Sequence, residues 1–131
     1  MSIVNRDFIF FVKAVKSNTP FKWVGGKTKL LPVLRSYLPE TCHNYYEPFL
    51  GGGALFFHLA RTGRIRRAHL ADMNERLVRT WRGVRDGVSQ VLAYLNEHAE
   101  MHAAGPAVYH EAMRLAPVDG GTDAEVAAWF I

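Results

Sequence analysis

The sequence predicts an α/β fold in which a small parallel sheet is wound with helices. Two segments have the composition of short strands, at 44–49 and 68–71, and each leads into apolar residues at the three- and four-residue spacing of an amphipathic helix. The order strand, helix, strand, helix is typical of parallel strands joined by crossovers. With 131 residues, 49% of them hydrophobic, the chain is long enough for one small domain.

An amphipathic helix that begins at Thr28 is predicted ahead of the first strand. Apolar residues recur at three- and four-residue intervals over 30–38, and Pro32 is tolerated only because it falls in the first turn. Pro39 ends this helix, because the residue before a proline is pushed out of helical geometry.

Residues 1–19 are interpreted as an amino-terminal extension of uncertain structure, and residues 20–131 as the main domain. Within the extension, the pattern does not distinguish a strand, a short helix and a loosely attached arm. Its apolar run at 8–12 has only five residues and no small-residue cleavage site after it, so it is too short to span a bilayer and lacks the features of a signal peptide. We therefore expect no membrane attachment and a cytoplasmic location.

The two predicted strands are followed by different kinds of turn. The aromatic-rich strand at 44–49 leads into three consecutive glycines and then the apolar run 54–60, which is typical of a strand that turns sharply into a helix. The second strand, at 68–71, is apolar and ends at Asp72, where another helix begins.

Further helices are predicted downstream. The helix after the second strand keeps apolar residues at helical spacing as far as Leu95 and is broken near Gly87. One more helix is expected over 106–115, with a proline at its first position. The last helix opens on a capping box at 122–125, in which Thr and Glu satisfy backbone amides reciprocally.

The end of the chain is expected to lie inside an element. The apolar residues at 126–131 are followed by no glycine, basic turn or polar tail, and a sheet of two strands has open edges. Truncation is the simplest interpretation of this pattern. It implies that the apolar face of the last helix is left uncovered.

The charge pattern is mildly basic. The chain has 16 Lys and Arg against 12 Asp and Glu, and the eight arginines between Arg61 and Arg85 face only two acidic residues. A polyanion partner and a solvated helix surface both fit this surplus. The single cysteine, Cys42, excludes an internal disulfide framework, and neither a CxxC pair nor the histidine spacing indicates zinc, so no metal site is expected.

Two acidic residues, Glu47 and Asp72, are expected at the carboxyl ends of the strands. The glycines from Gly51 to Gly53 would let a ligand approach the backbone and the helix amino terminus, although Phe56 stands where a dinucleotide fingerprint needs its third glycine. An acid at the spacing of Asp72 can accept hydrogen bonds from both ribose hydroxyls. The alternatives are a plain tight turn and a simple helix cap.

A third segment, 22–28, contains Gly-Lys-Thr but is not a phosphate-binding P-loop, because Phe21 occupies the position of the first glycine. What remains is Trp23 and Lys27 on either side of a glycine pair. These side chains can stack on and contact a cofactor, or the indole can pack in the core.

Taken together, these segments resemble the DNA adenine methylase family that includes the GATC-modifying enzymes. The resemblance is carried by Pro-Phe-Lys-Trp-Val-Gly-Gly-Lys at 20–27, Tyr-Glu-Pro-Phe-Leu-Gly-Gly-Gly-Ala-Leu-Phe-Phe at 46–57 and Leu-Ala-Asp-Met-Asn at 70–74, in matching order and spacing. Ala-Ala-Trp-Phe-Ile at 127–131 is similar to the segment that leads into the family's target-recognition region.

The resemblance implies a partial Rossmann-like methyltransferase fold, truncated before the sheet is complete, with S-adenosylmethionine over the carboxyl ends of the strands. In the family, the indole and the lysine contact the cofactor, the glycine turn cradles its methionine part, and the aspartate holds the ribose. The glutamate is the expected partner of the ammonium group. The cofactor-binding residues so predicted are Trp23, Lys27, Glu47, Gly51, Gly53 and Asp72.

The activity implied is site-specific methylation of adenine N6 in duplex DNA, by direct displacement at positioned reactants without a metal. The family's Asp-Pro-Pro-Tyr segment, which receives the flipped adenine, does not occur in this sequence. We therefore assign no catalytic residue and expect no turnover by this chain alone. Lys22 is a candidate contact with DNA phosphates, and the alternatives are a cofactor-binding half of a split enzyme or a structural remnant.

Overall fold

A computed structural model describes the backbone of residues 2–4 and the whole of residues 27–116 and 118–131. The chain divides into two compact units, Met1–Met73 and Asn74–Ile131. The first, here called the sheet unit, contains the strands; the second, the helical unit, is built from helices. No helix in the described ranges combines the length and apolar character needed to cross a membrane.

The sheet unit is organised around a three-stranded sheet, ordered β1, β3, β2. Its strands are β1 (Ser2–Val4), β2 (Cys42–Glu47) and β3 (Ile65–Leu70). β2 and β3 are parallel, which confirms the mixed α/β arrangement predicted from the order of elements. β1 runs antiparallel to β3, so the first part of the extension is a strand, and the remainder of 1–19 lies outside the described residues.

Both parallel strands begin earlier than their composition predicted. β2 starts two residues earlier and ends at Glu47, since Pro48 has no amide hydrogen with which to continue the ladder. β3 starts three residues earlier, at Ile65, because the exposed side chains of Arg66 and Arg67 interrupt the apolar pattern that defined the strand in the sequence.

The helix predicted from Thr28 is shorter than expected. The chain forms a 3-10 helix, η1 (Lys27–Leu30), and then one turn of α-helix, α1 (Leu31–Leu34). The amides of Ser36 and Tyr37 donate to carbonyls three residues earlier, at 3.3 and 3.0 Å. Such tighter bonds end the α-helix well before Pro39.

Helix α2 (Ala54–Arg61) packs against β3 and presents Phe56, Leu59 and Ala60 to the core. It ends in a Schellman motif, in which Gly63 has the left-handed φ of 71°. The amide of Arg64 closes this motif on the carbonyl of Leu59 at 3.0 Å. The motif therefore sets the direction in which the chain enters β3.

The helical unit contains four α-helices and one 3-10 helix among its described residues: α3 (Glu75–Asp86), α4 (Val88–Ala104), α5 (Pro106–Leu115), η2 (Val118–Gly120) and α6 (Asp123–Phe130). The break near Gly87, the proline at the first position of α5 and the capping box of α6 are all confirmed. These features depend on local backbone chemistry, which the sequence displays directly.

The expectation that α6 would have an uncovered apolar face was wrong for Val126 and Ala127, which are buried, whereas Ile131 directly after the helix is 45% exposed. α6 packs against both α3 and α4, and Ala124, Val126 and Ala127 are buried. Close contact with α3 is possible because that helix carries Gly83, where an added Cβ would lie 2.9 Å from the Cβ of Ala127. The helical unit thus supplies its own partner for the last helix.

Candidate functional site

The structure brings the predicted site residues of the sheet unit to the carboxyl ends of β2 and β3. Glu47 is the last residue of β2, and Asp72 follows the end of β3. Because the two strands are parallel neighbours, these ends meet at one edge of the sheet. Lys22 and Trp23 lie outside the described residues, so their roles stay predictions.

The glycine turn between β2 and α2 has the backbone that its composition predicted. Gly51 and Gly53 have φ of 53° and 71°, in the left-handed region where any other residue is strained. Gly53 is also the cap residue of α2, and no side chain caps that helix end. The turn therefore presents bare backbone next to a helix amino terminus.

Asp72 is tied to this turn. The amide of Gly51 donates to Asp72 Oδ2 at 2.9 Å, and the amide of Leu50 donates to the carbonyl of Ala71 at 2.9 Å. The turn and the residues that follow β3 are thus held as one structure. A carboxylate can accept from a backbone amide and from a diol together, because it has about four lone-pair sites.

The alternative interpretation of Asp72 as a helix cap is wrong. The cap of α3 is Asn74, whose side chain accepts from the amide of Leu77 at 3.2 Å. The N-cap of α3 is therefore Asn74 and not Asp72, whose described hydrogen bond is made to the glycine turn.

Glu47 is a buried carboxylate with only 4% of its surface exposed. Its Oε1 accepts from Lys27 Nζ at 2.9 Å, and the same ammonium donates to the carbonyl of Phe49 at 2.5 Å. Its Oε2 is buried without a hydrogen-bond partner in the described part of the chain. Burying a charge costs free energy unless the charge is paired. The ion pair with Lys27 therefore offsets the cost of burying this carboxylate.

Tyr45, which was not predicted as a site residue, lies two residues before Glu47 and so on the same face of β2. Burial and, next, the Glu47 carboxylate raise the pKa of Tyr45 far above its ordinary value. Its phenol therefore stays neutral beside the acid. The alternation of side chains along a strand was the signal that could have identified it.

Metal ligation finds no support in the described residues, where no three His, Cys, Asp or Glu side chains are grouped to hold an ion. One pair of histidines at helical spacing was nevertheless not singled out in the sequence. His98 and His102 lie one turn apart on α4, and the ring of His102 is 5.2 Å from that of His110 on α5. This is a contact between helices rather than an assembled metal site.

The comparison with protein families identifies the chain. A profile of the D12 class N6 adenine-specific DNA methyltransferase matches residues 23–124. The chain belongs to this family. The matched range includes every described residue of the candidate site and most of the helical unit, so the resemblance first recognised in three segments extends over most of the chain.

Individual relatives agree with the family assignment. The chain is 36% identical over 105 residues to the type II methyltransferase M1.LlaDCHI of Lactococcus lactis subsp. cremoris, covering 79% of this chain and 34% of the relative. It is 34% identical over 98 residues to the type II methyltransferase M.CviBI of Paramecium bursaria Chlorella virus NC1A, covering 75% and 36%.

A third relative, the type II methyltransferase M.MjaIII of Methanocaldococcus jannaschii, is 34% identical over 83 residues, which are 59% of this chain and 29% of the relative. The chain therefore spans about a third of the length of the curated relatives that it matches, with shares of 34%, 36% and 29%.

Proposed function

We propose that this chain is the cofactor-binding part of a site-specific DNA adenine-N6 methyltransferase that uses S-adenosylmethionine. The observation that carries the proposal is the hydrogen bond between Gly51 and Asp72, which joins a bare-backbone turn to an acid at the ends of two parallel strands. Family membership supports methyl transfer as the chemistry. The names of the relatives, all type II methyltransferases, support a role in restriction-modification.

Three features of the sheet unit fit S-adenosylmethionine. The carboxylate of Asp72 is suited to the ribose hydroxyls, and the turn from Gly51 to Gly53 has no side chain to obstruct the methionine part. The buried Oε2 of Glu47 is a natural acceptor for the ammonium group of that part. In this proposal Trp23 stacks on the cofactor and Lys27 contacts it, as the family resemblance implies.

The chain's own residues act by binding and orientation. Lys27 holds the Glu47 carboxylate, and the hydrogen bond from Gly51 holds that of Asp72, so both acids are oriented before a ligand arrives. Preorganised groups of this kind lower the entropic cost of binding. When bound, S-adenosylmethionine supplies the methyl group, and duplex DNA is the proposed acceptor.

The proposal includes a Rossmann-like fold for the complete catalytic domain, of which residues 20–131 form the amino-terminal part. The parallel β2 and β3 joined through α2 support this assignment. The Asp-Pro-Pro-Tyr segment that holds the target adenine in the family is not present in this sequence. We therefore expect this chain to bind the cofactor without transferring its methyl group.

Calorimetric titration of the 131-residue chain with S-adenosylmethionine tests the binding site. Asp72→Asn keeps one oxygen for the Gly51 amide but loses the second acceptor, and should weaken binding about tenfold, as expected for one or two charge-assisted hydrogen bonds. The control is Asp86→Asn, which removes an exposed carboxylate paired with Arg85. Equal affinities for the two variants would refute the role of Asp72.

A second assay follows labelled methyl groups into duplex DNA. The 131-residue chain alone should transfer none, because it lacks the segment that receives the flipped base. Transfer by this chain would show that the adenine pocket is built from residues that the proposal does not assign.

A further inference from the structure

We propose a second binding site, for a phosphate group, at the opposite end of the sheet from the candidate cofactor site. It lies where β2 and β3 begin, and the groups that would bind the phosphate are the guanidinium groups of Arg64 and Arg66. This site is independent of the proposed function, because it lies at the other end of the strands and is lined by different side chains.

A cavity of about 350 Å³ is present between the beginnings of the two strands. No acidic residue lines it, and every lining residue except the glycine has a side-chain donor or a thiol. The lining residues are Thr41, Cys42, His43, Gly63, Arg64 and Arg66. A concave surface with only neutral and cationic groups favours an anion.

The backbone around this cavity is fixed. Gly63 and Arg64 belong to the Schellman motif that ends α2, and the carbonyl of Arg64 accepts from the amide of Cys42 at 2.6 Å. Arg66 extends from β3 two residues further on. Both guanidinium groups are thus carried on hydrogen-bonded backbone, which reduces the ordering that a ligand would require.

Two arginines at this end of the sheet have no carboxylate partner among the described residues. Neither Arg64 nor Arg66 forms an ion pair with any carboxylate of the described ranges, and Arg64 Nη1 is buried without an acceptor there. Buried donors are normally satisfied, so an unsatisfied one calls for an explanation such as a ligand or ion. The sheet unit as a whole has eleven lysines and arginines against four acids, a net charge of +7.

The neighbouring His58 reports the same excess of positive charge. Its pKa is lowered, first by burial and then by the charges of Arg35, Arg64 and Arg61. An anion in the cavity would offset this repulsion. Phosphate is the favoured chemistry because the planar guanidinium fork binds phosphate oxygens in a bidentate manner.

The phosphate can belong to a nucleic-acid backbone or to a free ion, and two probes distinguish these sources. Inorganic phosphate is titrated into the 131-residue chain at constant ionic strength, and a short DNA duplex is titrated in parallel. Arg64→Gln and Arg66→Gln should each weaken binding of at least one probe about tenfold, as the loss of a charge-assisted bidentate contact implies. For the duplex, the slope of affinity against salt should fall by about one per arginine removed.

The control is Arg114→Gln, which removes the same charge from an exposed arginine paired with Glu111. It should change either affinity less than about twofold, as expected for a distant surface charge. In the unmodified protein, the Nε resonances of Arg64 and Arg66 should shift on addition of phosphate or of the duplex while that of Arg114 does not. This measurement keeps the test valid if a variant fails to fold.

Loss of affinity for the duplex alone identifies a nucleic-acid phosphate, and loss for inorganic phosphate alone identifies the free ion; either supports the site. Affinities for both probes equal to those of Arg114→Gln, or resonances of Arg64 and Arg66 that stay unchanged on addition of either probe, overturn it. Binding of S-adenosylmethionine should be unchanged in these variants, so failure here is distinct from failure of the proposed function.

Discussion

The helical unit keeps its described ion pairs within itself, whereas two described arginines of the sheet unit, Arg64 and Arg66, have no carboxylate partner among the described residues. Residues 74–131 have five Lys and Arg against eight Asp and Glu, a net charge of −3, in contrast to the +7 of residues 1–73. Arg76 and Arg79 pair with Asp119 and Asp123 at 2.6 and 2.7 Å. In the sheet unit, Arg64 and Arg66 have no comparable carboxylate in the described chain.

Arg76 and Arg79 of the helical unit bind the segment that precedes α6. Arg79 also donates to the carbonyls of Asp119 and Gly121, so the segment that precedes α6 is held on α3. Arg76 lies 5.1 Å from the ring centroid of Trp129, on α6 itself. Charge in this unit therefore stabilises a particular arrangement of helices.

The acids of the sheet unit have a different arrangement. Glu47 and Asp72 are held by Lys27 and by the amide of Gly51, at strand ends rather than between packed helices. The comparison teaches that charged residues stabilise helix packing where carboxylates and arginines pair, as in the helical unit. In the sheet unit they lie at the strand ends, where we propose that they bind ligands.

The largest effect is expected at the packing that makes the helical unit self-sufficient. Gly83→Ala should lower the free energy of unfolding by about 3 kcal/mol, because the new methyl would meet the backbone of Asp123 and the Cβ of Ala127 at 2.9 Å. Urea denaturation measures this loss in the free energy of unfolding. Gly120→Ala, where an added Cβ meets nothing within 4 Å, is the control, and equal stability of the two variants would refute the close α3–α6 contact.

A smaller loss is expected from the only described ion pair of the sheet unit. Lys27→Met leaves the buried Glu47 without its cation, which should cost about 2 kcal/mol, less than for a fully buried pair because the lysine is 33% exposed. Thermal denaturation measures the loss. Lys27→Met combined with Glu47→Gln should recover part of the stability, and no recovery would contradict the pairing.

The loop contact of the helical unit should contribute somewhat less. Arg79→Met removes hydrogen bonds to Asp123, Asp119 and Gly121, and we expect a loss of about 1.5 kcal/mol in urea denaturation. Arg114→Gln breaks an exposed pair with Glu111 and should cost less than about 0.5 kcal/mol. If both variants lose the same free energy of unfolding, the contrast between structural and solvated arginines is refuted.

The smallest effect concerns the capping box of α6. Hydrogen bonds from Thr122, backbone first and then hydroxyl, lower the pKa of Glu125. A carboxylate with a depressed pKa stabilises the folded state above its ordinary pKa and loses this contribution as pH falls through the folded value. Glu125→Gln should therefore melt slightly below the unmodified protein at pH 7, with the difference disappearing at acidic pH; a constant difference would exclude the linkage.

Local chemistry explains which elements could be predicted. Gly87, Pro106 and the Thr122–Glu125 capping box act within a few residues, so each boundary that they define was predicted correctly. The strands were found but began too late, because exposed arginines in β3 masked its period. The turn was predicted from Gly51 to Gly53, since only a few residue types tolerate left-handed backbone.

Contacts between distant residues were not predictable in the same way. Lys27 and Glu47 are 20 residues apart, and Arg76 and Asp119 are 43 apart. The residues next to each of these side chains in the sequence do not indicate which distant residue it pairs with. The antiparallel pairing of β1 and the cover of α6 likewise depend on which surfaces meet after the chain has folded.

By itself, then, the amino-acid sequence determined the order of the two parallel strands and the helices, the glycines with left-handed backbone and the family, because these depend on neighbouring residues or on motifs of fixed spacing. Only the tertiary structure decided that Asp72 binds the glycine turn rather than capping a helix, that Glu47 is buried beside Lys27, and that Arg64 and Arg66 share a cavity without acids. The physical reason is that burial and charge pairing are properties of three-dimensional proximity.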